Sequence, residues 1–258
     1  MRILALPLAL TLSFCLYLPL PRAAEGLGRG VERLYTAFER LLSQSSKRLD
    51  GQLILGLFLL LFGGACQLAG FWHPLAAAVV TAPLFSVLTL LPQAVRAKEE
   101  LDSGVLSRDI EGYEARVRSV CASLGPAFVT DLCAPLLILA LGTPLRLSCA
   151  LGGIYFALRA LCECEPHARR AVALIRRPAW AVMRFMLLLC SCVVGRNPLR
   201  AHGSEPRGLL LSILGIAGDE TDTHAPVAGD IAQAVFLCCF ASVLLCLMLT
   251  VALFPLCR

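Results

Sequence analysis

Charge is what this chain has least of. Only 16% of its 258 residues are Asp, Glu, Lys or Arg, and 58% are hydrophobic; soluble domains carry about 25% and about 45–50%. The deficit is local. Gly51 to Val95 contains none of the four charged types, and neither does Ile231 to Leu256. A hydrocarbon core about 30 Å thick is crossed by about 20 apolar residues in helical form, so both runs read as membrane spans. That excludes a soluble enzyme, a disordered chain, a collagen-like chain and a small disulfide scaffold. Signature motifs are also missing. No Gly-rich P-loop, H-E-x-x-H or C-x-x-C occurs, so phosphate cradles, zincin chemistry and dithiol redox chemistry have no local sequence support. No basic stripe interleaved with aromatics is present, which argues against nucleic acid as a partner.

Cysteine, by contrast, is plentiful at 13 residues. Most lie in apolar runs, where cysteine behaves as a small hydrophobe. Cys162, Cys164 and His167 have metal-ligand chemistry but no second ligand pair nearby, so apolar filler near a helix end is the better reading.

The apolar runs organise the chain. Ile3 to Leu20 follows a single Arg2 and resembles a signal peptide, but cleavage after Ala24 or Ala23 places Arg22 or Pro21 at the −3 position. It therefore reads as a retained first span. Leu27, Val31, Leu34, Tyr35, Phe38, Leu41 and Leu42 repeat at helical spacing, with Arg29, Glu32, Arg33, Glu39 and Arg40 opposite. An amphipathic helix at the interface or against a partner is expected there. The 45-residue uncharged run breaks at Phe71-Trp72-His73-Pro74, giving a hairpin of Gly51–Phe71 and Leu75–Leu91. Its flanks, 22–50 and 96–118, carry six and five Lys/Arg and the turn carries none, which places both flanks in the cytoplasm.

Ile110, Tyr113, Val117, Val120 and Leu124 then predict a surface-packed helix. A second hairpin, Ala127–Leu141 and Leu145–Leu161, turns at Gly142-Thr143-Pro144. Its arms are short for a crossing, so tilt or re-entry is expected. Arg169, Arg170, Arg176 and Arg177 form a basic juxtamembrane cluster. Phe185–Gly195 either spans together with Pro178–Met183 or merely dips in. The expected fold is all-α: a polytopic helical membrane protein with five to six spans or re-entrant segments and amphipathic interfacial helices. It reads as a single integral membrane domain over 1–258, with amphipathic cytoplasmic connections at 22–50 and 96–125 and a polar loop at 196–230 before the last span. The bilayer is its first partner.

Two places could carry chemistry. Asp131 is the one acid inside a predicted apolar segment, and ionisable groups in hydrocarbon are expensive enough to mark function; a structural pairing with Arg146 or Arg159 is the alternative. Asp219, Glu220, Asp222 and Asp230 surround His224 in a Gly- and Pro-punctuated loop. Clustered carboxylates of this kind hold Mg²⁺ against a nucleotide, or form a solvated acidic linker.

Three segments carry a resemblance. Asp131-Leu132-Cys133-Ala134-Pro135-Leu136 with Gly142 is similar to an E-N-x-x-D-G-x-x-A-P-L segment. Pro178-Ala179 is similar to the end of D-D-x-x-N-x-x-P-A-R, and His224-Ala225-Pro226-Val227-Ala228-Gly229 to H-x-S-P-N-A-G. Together they resemble the CbiB-type membrane proteins of cobalamin biosynthesis (adenosylcobinamide-phosphate synthases), from about Leu34 onward. The resemblance implies a bacterial inner-membrane, multi-pass enzyme that uses ATP and Mg²⁺ to join an aminopropanol unit to a corrinoid carboxylate. Asp131 and His224 would then be catalytic, with Asp219, Glu220, Asp222 and Asp230 holding metal, and a corrinoid precursor or other membrane proteins would be partners. The departures are specific. Gly125-Pro126-Ala127 stands at the E-N positions, Ala168-Arg169-Arg170 at D-D, and Val227 at the loop asparagine. A site without those acids has little to offset phosphate charge, which points to a catalytically degenerate relative. Gly153-Ile154-Tyr155-Phe156-Ala157-Leu158-Arg159-Ala160 is also similar to the G-x-x-F-L-R-A segment of AmpE-type membrane proteins, so a non-catalytic sensor, regulatory or accessory role is the alternative.

Overall fold

A computed structural model describes residues 19–45, 50–71, 77, 81–84, 90–103, 110–193, 203, 205–217 and 224–255. Ile3–Leu20, most of Leu75–Leu91, and Asp219, Glu220 and Asp222 thus fall wholly or mainly outside the described residues. Every regular element described is helical: α1 (Pro19–Ser45), α2 (Gly51–Phe71), a 3-10 turn (Ala82–Leu84), α3 (Leu90–Asp102), α4 (Ile110–Phe128), a π-helical turn (Val129–Cys133), α5 (Ala134–Gly142), α6 (Ser148–Ala160), α7 (Pro166–Val193), α8 (Pro206–Leu214) and α9 (Ala228–Leu253). Three helices among the described residues are long and apolar enough to cross a membrane: Gly51–Phe71, Gly112–Gly142 and Ala228–Leu253. The all-α class and the membrane character expected from the sequence therefore stand.

The described residues form two compact units. The first includes α1, α2, the 3-10 turn, α5, α6 and the start of α7 up to Arg177. Its core follows from the spacing noted above: Val31 and Tyr35 on α1 are buried against Ile54 and Phe58 on α2 and Leu158 on α6. The Tyr35 and Phe58 rings meet edge-to-face at 5.3 Å. Arg29, Arg33, Glu39 and Arg40 lie on the exposed side, as the amphipathic pattern requires. Leu27, Leu34 and Leu41 depart from it and stay exposed. α2 begins where Asp50 offers its carbonyl to the Leu53 and Ile54 amides at 2.9 and 3.2 Å. Its outer face is apolar, with Leu53, Leu60, Leu68 and Phe71 all more than 60% exposed, the composition a helix needs where its solvent is lipid.

Helices α2 and α6 approach through glycine. A Cβ at Gly63 would stand 2.8 Å from Ile154 Cγ1, and one at Gly153 would stand 2.6 Å from Cys66 Sγ. Beside this contact Gln67 reaches across from α2. Its Nε2 donates to the Arg146 carbonyl at 2.7 Å and its Oε1 accepts from the Ala150 amide at 3.0 Å. The first amides of α6 lack intrahelical partners, and Leu147 at the cap supplies no side-chain acceptor; Gln67 serves that end from another helix.

At the outer edge of this core, the Tyr35 hydroxyl donates to Glu165 Oε2 at 3.3 Å. Burial, then the negative charges of Glu165 and Glu39, push its pKa well above the usual value of 10.0. The native state thus keeps a proton that the unfolded chain releases near pH 10, and stability falls as pH rises past that value. Tyr35→Phe removes the dependence. Below pH 10 the variant should lose about 1 kcal/mol for the hydrogen bond. Denaturant melts between pH 8 and 11 should show the two proteins converging as pH rises; parallel curves would contradict this account.

The second unit includes α3, α4, the π-helical turn, the later part of α7, α8 and most of α9. Val117, Cys121 and Leu124 are buried on one side of α4, close to the expected repeat. α8 lies so near α4 that a Cβ on Gly125 would stand 2.6 Å from the Pro206 carbonyl oxygen. Gly215 ends α8 with φ 74. The Ile216 amide there returns to the Leu211 carbonyl at 3.0 Å, a left-handed cap that glycine adopts without penalty. Arg118 Nε holds the next carbonyl, that of Ile216, at 3.1 Å.

Two boundaries differ from the sequence reading. The surface helix ending near 125 and the short span starting at Ala127 are one helix, Gly112–Gly142, of 31 residues. At 1.5 Å per residue it is about 46 Å long, enough to cross a bilayer. Pro126 lies inside it without ending it, and Thr130 Oγ1 donates to the Pro126 carbonyl at 2.9 Å. The return arm is shorter than expected: after the turn at 143–146, α6 has 13 residues, about 20 Å. Where the sequence left two alternatives for the apolar stretch after Arg184, the structure joins it to Pro178–Met183 and to the arginine cluster in one 28-residue helix, α7, with Pro178 inside it.

No cysteine among the described residues is in a disulfide, and Cys121, Cys133, Cys149, Cys190, Cys238 and Cys246 are buried. They behave as the apolar filler expected of them.

Candidate functional site

The amino end of α9 gathers the polar groups that the sequence marked. Ala228, Gly229 and Asp230 form its first turn, and Val227 stands at the cap. Valine has no side-chain oxygen to satisfy the orphan amides of that turn, so they find acceptors elsewhere. Asp230 Oδ2 reaches back to the Val227 amide at 2.9 Å, the reciprocal half of a capping box. The Tyr113 hydroxyl, brought in by α4, accepts from the Ala228 amide at 2.9 Å.

His224 completes the arrangement. Its Nε2 lies 2.9 and 3.1 Å from the two Asp230 carboxylate oxygens. A carboxylate only accepts, so Nε2 carries the proton. The Asp230 side chain is 2% exposed and that of His224 32%; the acid is sealed and the imidazole partly wet. The positive end of the helix dipole favours a carboxylate at this spot. Chemically, the unit is an imidazole oriented by a buried acid, the acid being held in turn by a backbone amide.

Among the residues marked by sequence, the structure therefore joins His224 to Asp230. Asp131 stands on a different element, the π-helical turn, and is 6% exposed; π-helical turns recur at functional positions. Asp219, Glu220 and Asp222 are outside the described residues. Among the described residues no group of three or more His, Cys, Asp or Glu is placed to hold a metal ion. Of the disfavoured Cys162, Cys164 and His167 set, His167 Nδ1 instead meets Gln52 Nε2 at 3.2 Å. Tyr113 is the participant the sequence reading assigned only to a packing stripe. Its signal was chemical: a hydroxyl on an otherwise apolar stripe needs a partner.

With this geometry in hand, the chain was compared with known proteins. No protein-family model matches it, and neither curated proteins nor solved structures give a match.

Proposed function

We propose that this chain is a multi-pass protein of a bacterial inner membrane, related to the CbiB-type corrinoid synthases but catalytically degenerate. On this reading it crosses or enters the membrane five to six times, with residues 22–50 and 96–118 on the cytoplasmic side. The observation that carries the degenerate reading is the use made of Asp230. Both of its oxygens are committed to His224 and the Val227 amide, so the H-x-S-P-N-A-G-like loop builds a helix start. No acid lies between Pro166 and Pro178, the stretch in which the likeness calls for two, and Mg²⁺ would need them.

One observation favours the second reading, an AmpE-like sensor or accessory subunit. The G-x-x-F-L-R-A-like segment begins at Gly153, the residue that lets α6 meet α2. The part shared with those proteins is thus a packing element, which a non-catalytic relative would keep.

Expression in a strain lacking its own corrinoid synthase tests the proposal. With membrane insertion verified by fractionation, no restoration of cobalamin-dependent growth is expected. Restored growth that Asp131→Asn and His224→Gln abolish would overturn it and make these residues catalytic.

A further inference from the structure

We infer that the first three turns of α7 form a docking surface for anionic lipid headgroups at the membrane boundary. The inference rests on the membrane character of the chain and not on any corrinoid role. Pro166 to Arg177 contains Arg169, Arg170, Arg176 and Arg177 and no Asp or Glu. A separation of seven residues is close to two helical turns, so Arg169 with Arg176 and Arg170 with Arg177 make two adjacent rows. All four are exposed.

The opposite face keeps them so. Ala168 and Val172 are buried in the core with Ile54 and Phe58 of α2, which fixes the rotation of the helix about its axis. Arg169 is further ordered by its own approach turn, donating from Nε to the Cys162 carbonyl at 3.2 Å and from Nη2 to the Glu163 carbonyl at 3.3 Å. None of the ion pairs among the described residues uses any of the four. Within Pro166–Arg177 the rows carry charge of one sign, held in place by the buried opposite face.

Their level relative to the membrane follows from one contact. Gln52 Nε2 meets His167 Nδ1 at 3.2 Å, and Gln52 is the second residue of α2, a helix long and apolar enough to cross a bilayer. The start of α7 therefore stands at the end of a candidate span, where lipid phosphates lie. Leu174, 63% exposed, offers an apolar contact beside the rows. Guanidinium groups bind phosphate oxygens in a two-pronged fashion, and basic segments next to a span are drawn to anionic leaflets. Charge and position together select lipid over a soluble acidic partner.

The test uses the full chain purified in a mild neutral detergent, with phosphatidylglycerol or phosphatidylcholine added. Thermal unfolding should show a midpoint several degrees higher with phosphatidylglycerol, and the difference should shrink at high salt, as screened charge requires. The triple variant Arg170→Gln/Arg176→Gln/Arg177→Gln should lose at least half of that difference, and the matching triple lysine variant should keep most of it. Native mass spectrometry of the wild type should retain more phosphatidylglycerol than phosphatidylcholine, which keeps the inference testable if the glutamine variant fails to fold. Equal midpoints and equal retention of the two lipids by the wild type, as a protein partner for this face would produce, overturn the inference. So does an undiminished preference in the glutamine variant.

Discussion

Replacing Gly153 with valine should leave little folded protein. Even the first added carbon would stand 2.6 Å from Cys66 Sγ and 2.8 Å from Cys66 Cβ, and valine adds two methyl groups beyond it. α6 has no room to retreat, because a Cβ on neighbouring Gly152 already meets Leu84 Cδ1 at 2.8 Å and Leu139 Cδ2 at 3.2 Å. Overpacking typically costs about 1–3 kcal/mol; with both sides of the helix blocked, the loss should sit at or above the upper end. The measurement is the thermal midpoint of detergent-purified protein together with its monodisperse yield. A companion pair assigns the cause: Gly153→Ala should be destabilised less, and Cys66→Gly in that background should restore part of the loss by opening the facing position. A valine variant melting within a degree of the wild type, or an absence of rescue by Cys66→Gly, would remove this contact from the account.

The second large effect is expected at Asp230. Alanine there orphans the Val227 amide and strips His224 of its acceptor at the start of a 26-residue helix. Loss of a cap costs about 0.5–2 kcal/mol, and loss of a hydrogen bond to a charged group, here between the buried carboxylate and His224, about 1.5–3 kcal/mol. These overlap, so a total of about 2–3 kcal/mol is expected. Asparagine keeps one acceptor oxygen and should recover roughly half. Tyr113→Phe, which uncaps only the Ala228 amide, should cost about 1 kcal/mol. Denaturant melts give the order Asp230→Ala, then Asp230→Asn, then Tyr113→Phe. Faster hydrogen exchange at the Val227 amide in the alanine variant would locate the damage. Wild-type stability and exchange in Asp230→Ala would mean that the helix start does not depend on the carboxylate.

How much of this was legible in the sequence depends on the physics that sets each feature. α2 was read to the residue, because an uncharged run bounded by Asp50 and by Phe71-Trp72-His73-Pro74 marks both ends by composition. The turn after Gly142 was legible for the same reason. The joint near Pro126 was not. Gly-Pro reads as a boundary in water, where a proline removes one hydrogen bond and clashes with the preceding turn. In a helix flanked by apolar surroundings the local alternatives are worse, because exposed backbone groups find no water there, and the helix runs on through Pro126.

In α7 the change from basic to apolar residues left open whether the stretch after Arg184 continues Pro178–Met183 or merely dips in, and the backbone runs on through both. Charge marks depth and composition, not helix continuity. At the site, His224 and Asp230 are six positions apart and their meeting was within reach of local reasoning. Tyr113 lies 115 positions from Ala228, and no spacing rule pairs residues so far apart. The close approach of Gly63 and Gly153 was hidden in the same way, since a glycine in an apolar run does not name what faces it.

The bridge from Gln67 has a bearing on how the chain is made. Both groups it serves, the Arg146 carbonyl and the Ala150 amide, follow it by about eighty residues. While those residues are still being synthesised, α2 carries an amide whose partners do not exist, in a helix otherwise apolar enough to enter the bilayer unaided. A polar side chain on an apolar helix favours staying with water or with neighbouring protein. A chain truncated before Ser148 should therefore hold α2 without this bridge, its Gln67 lacking both the helix it caps and the contact that fixes it.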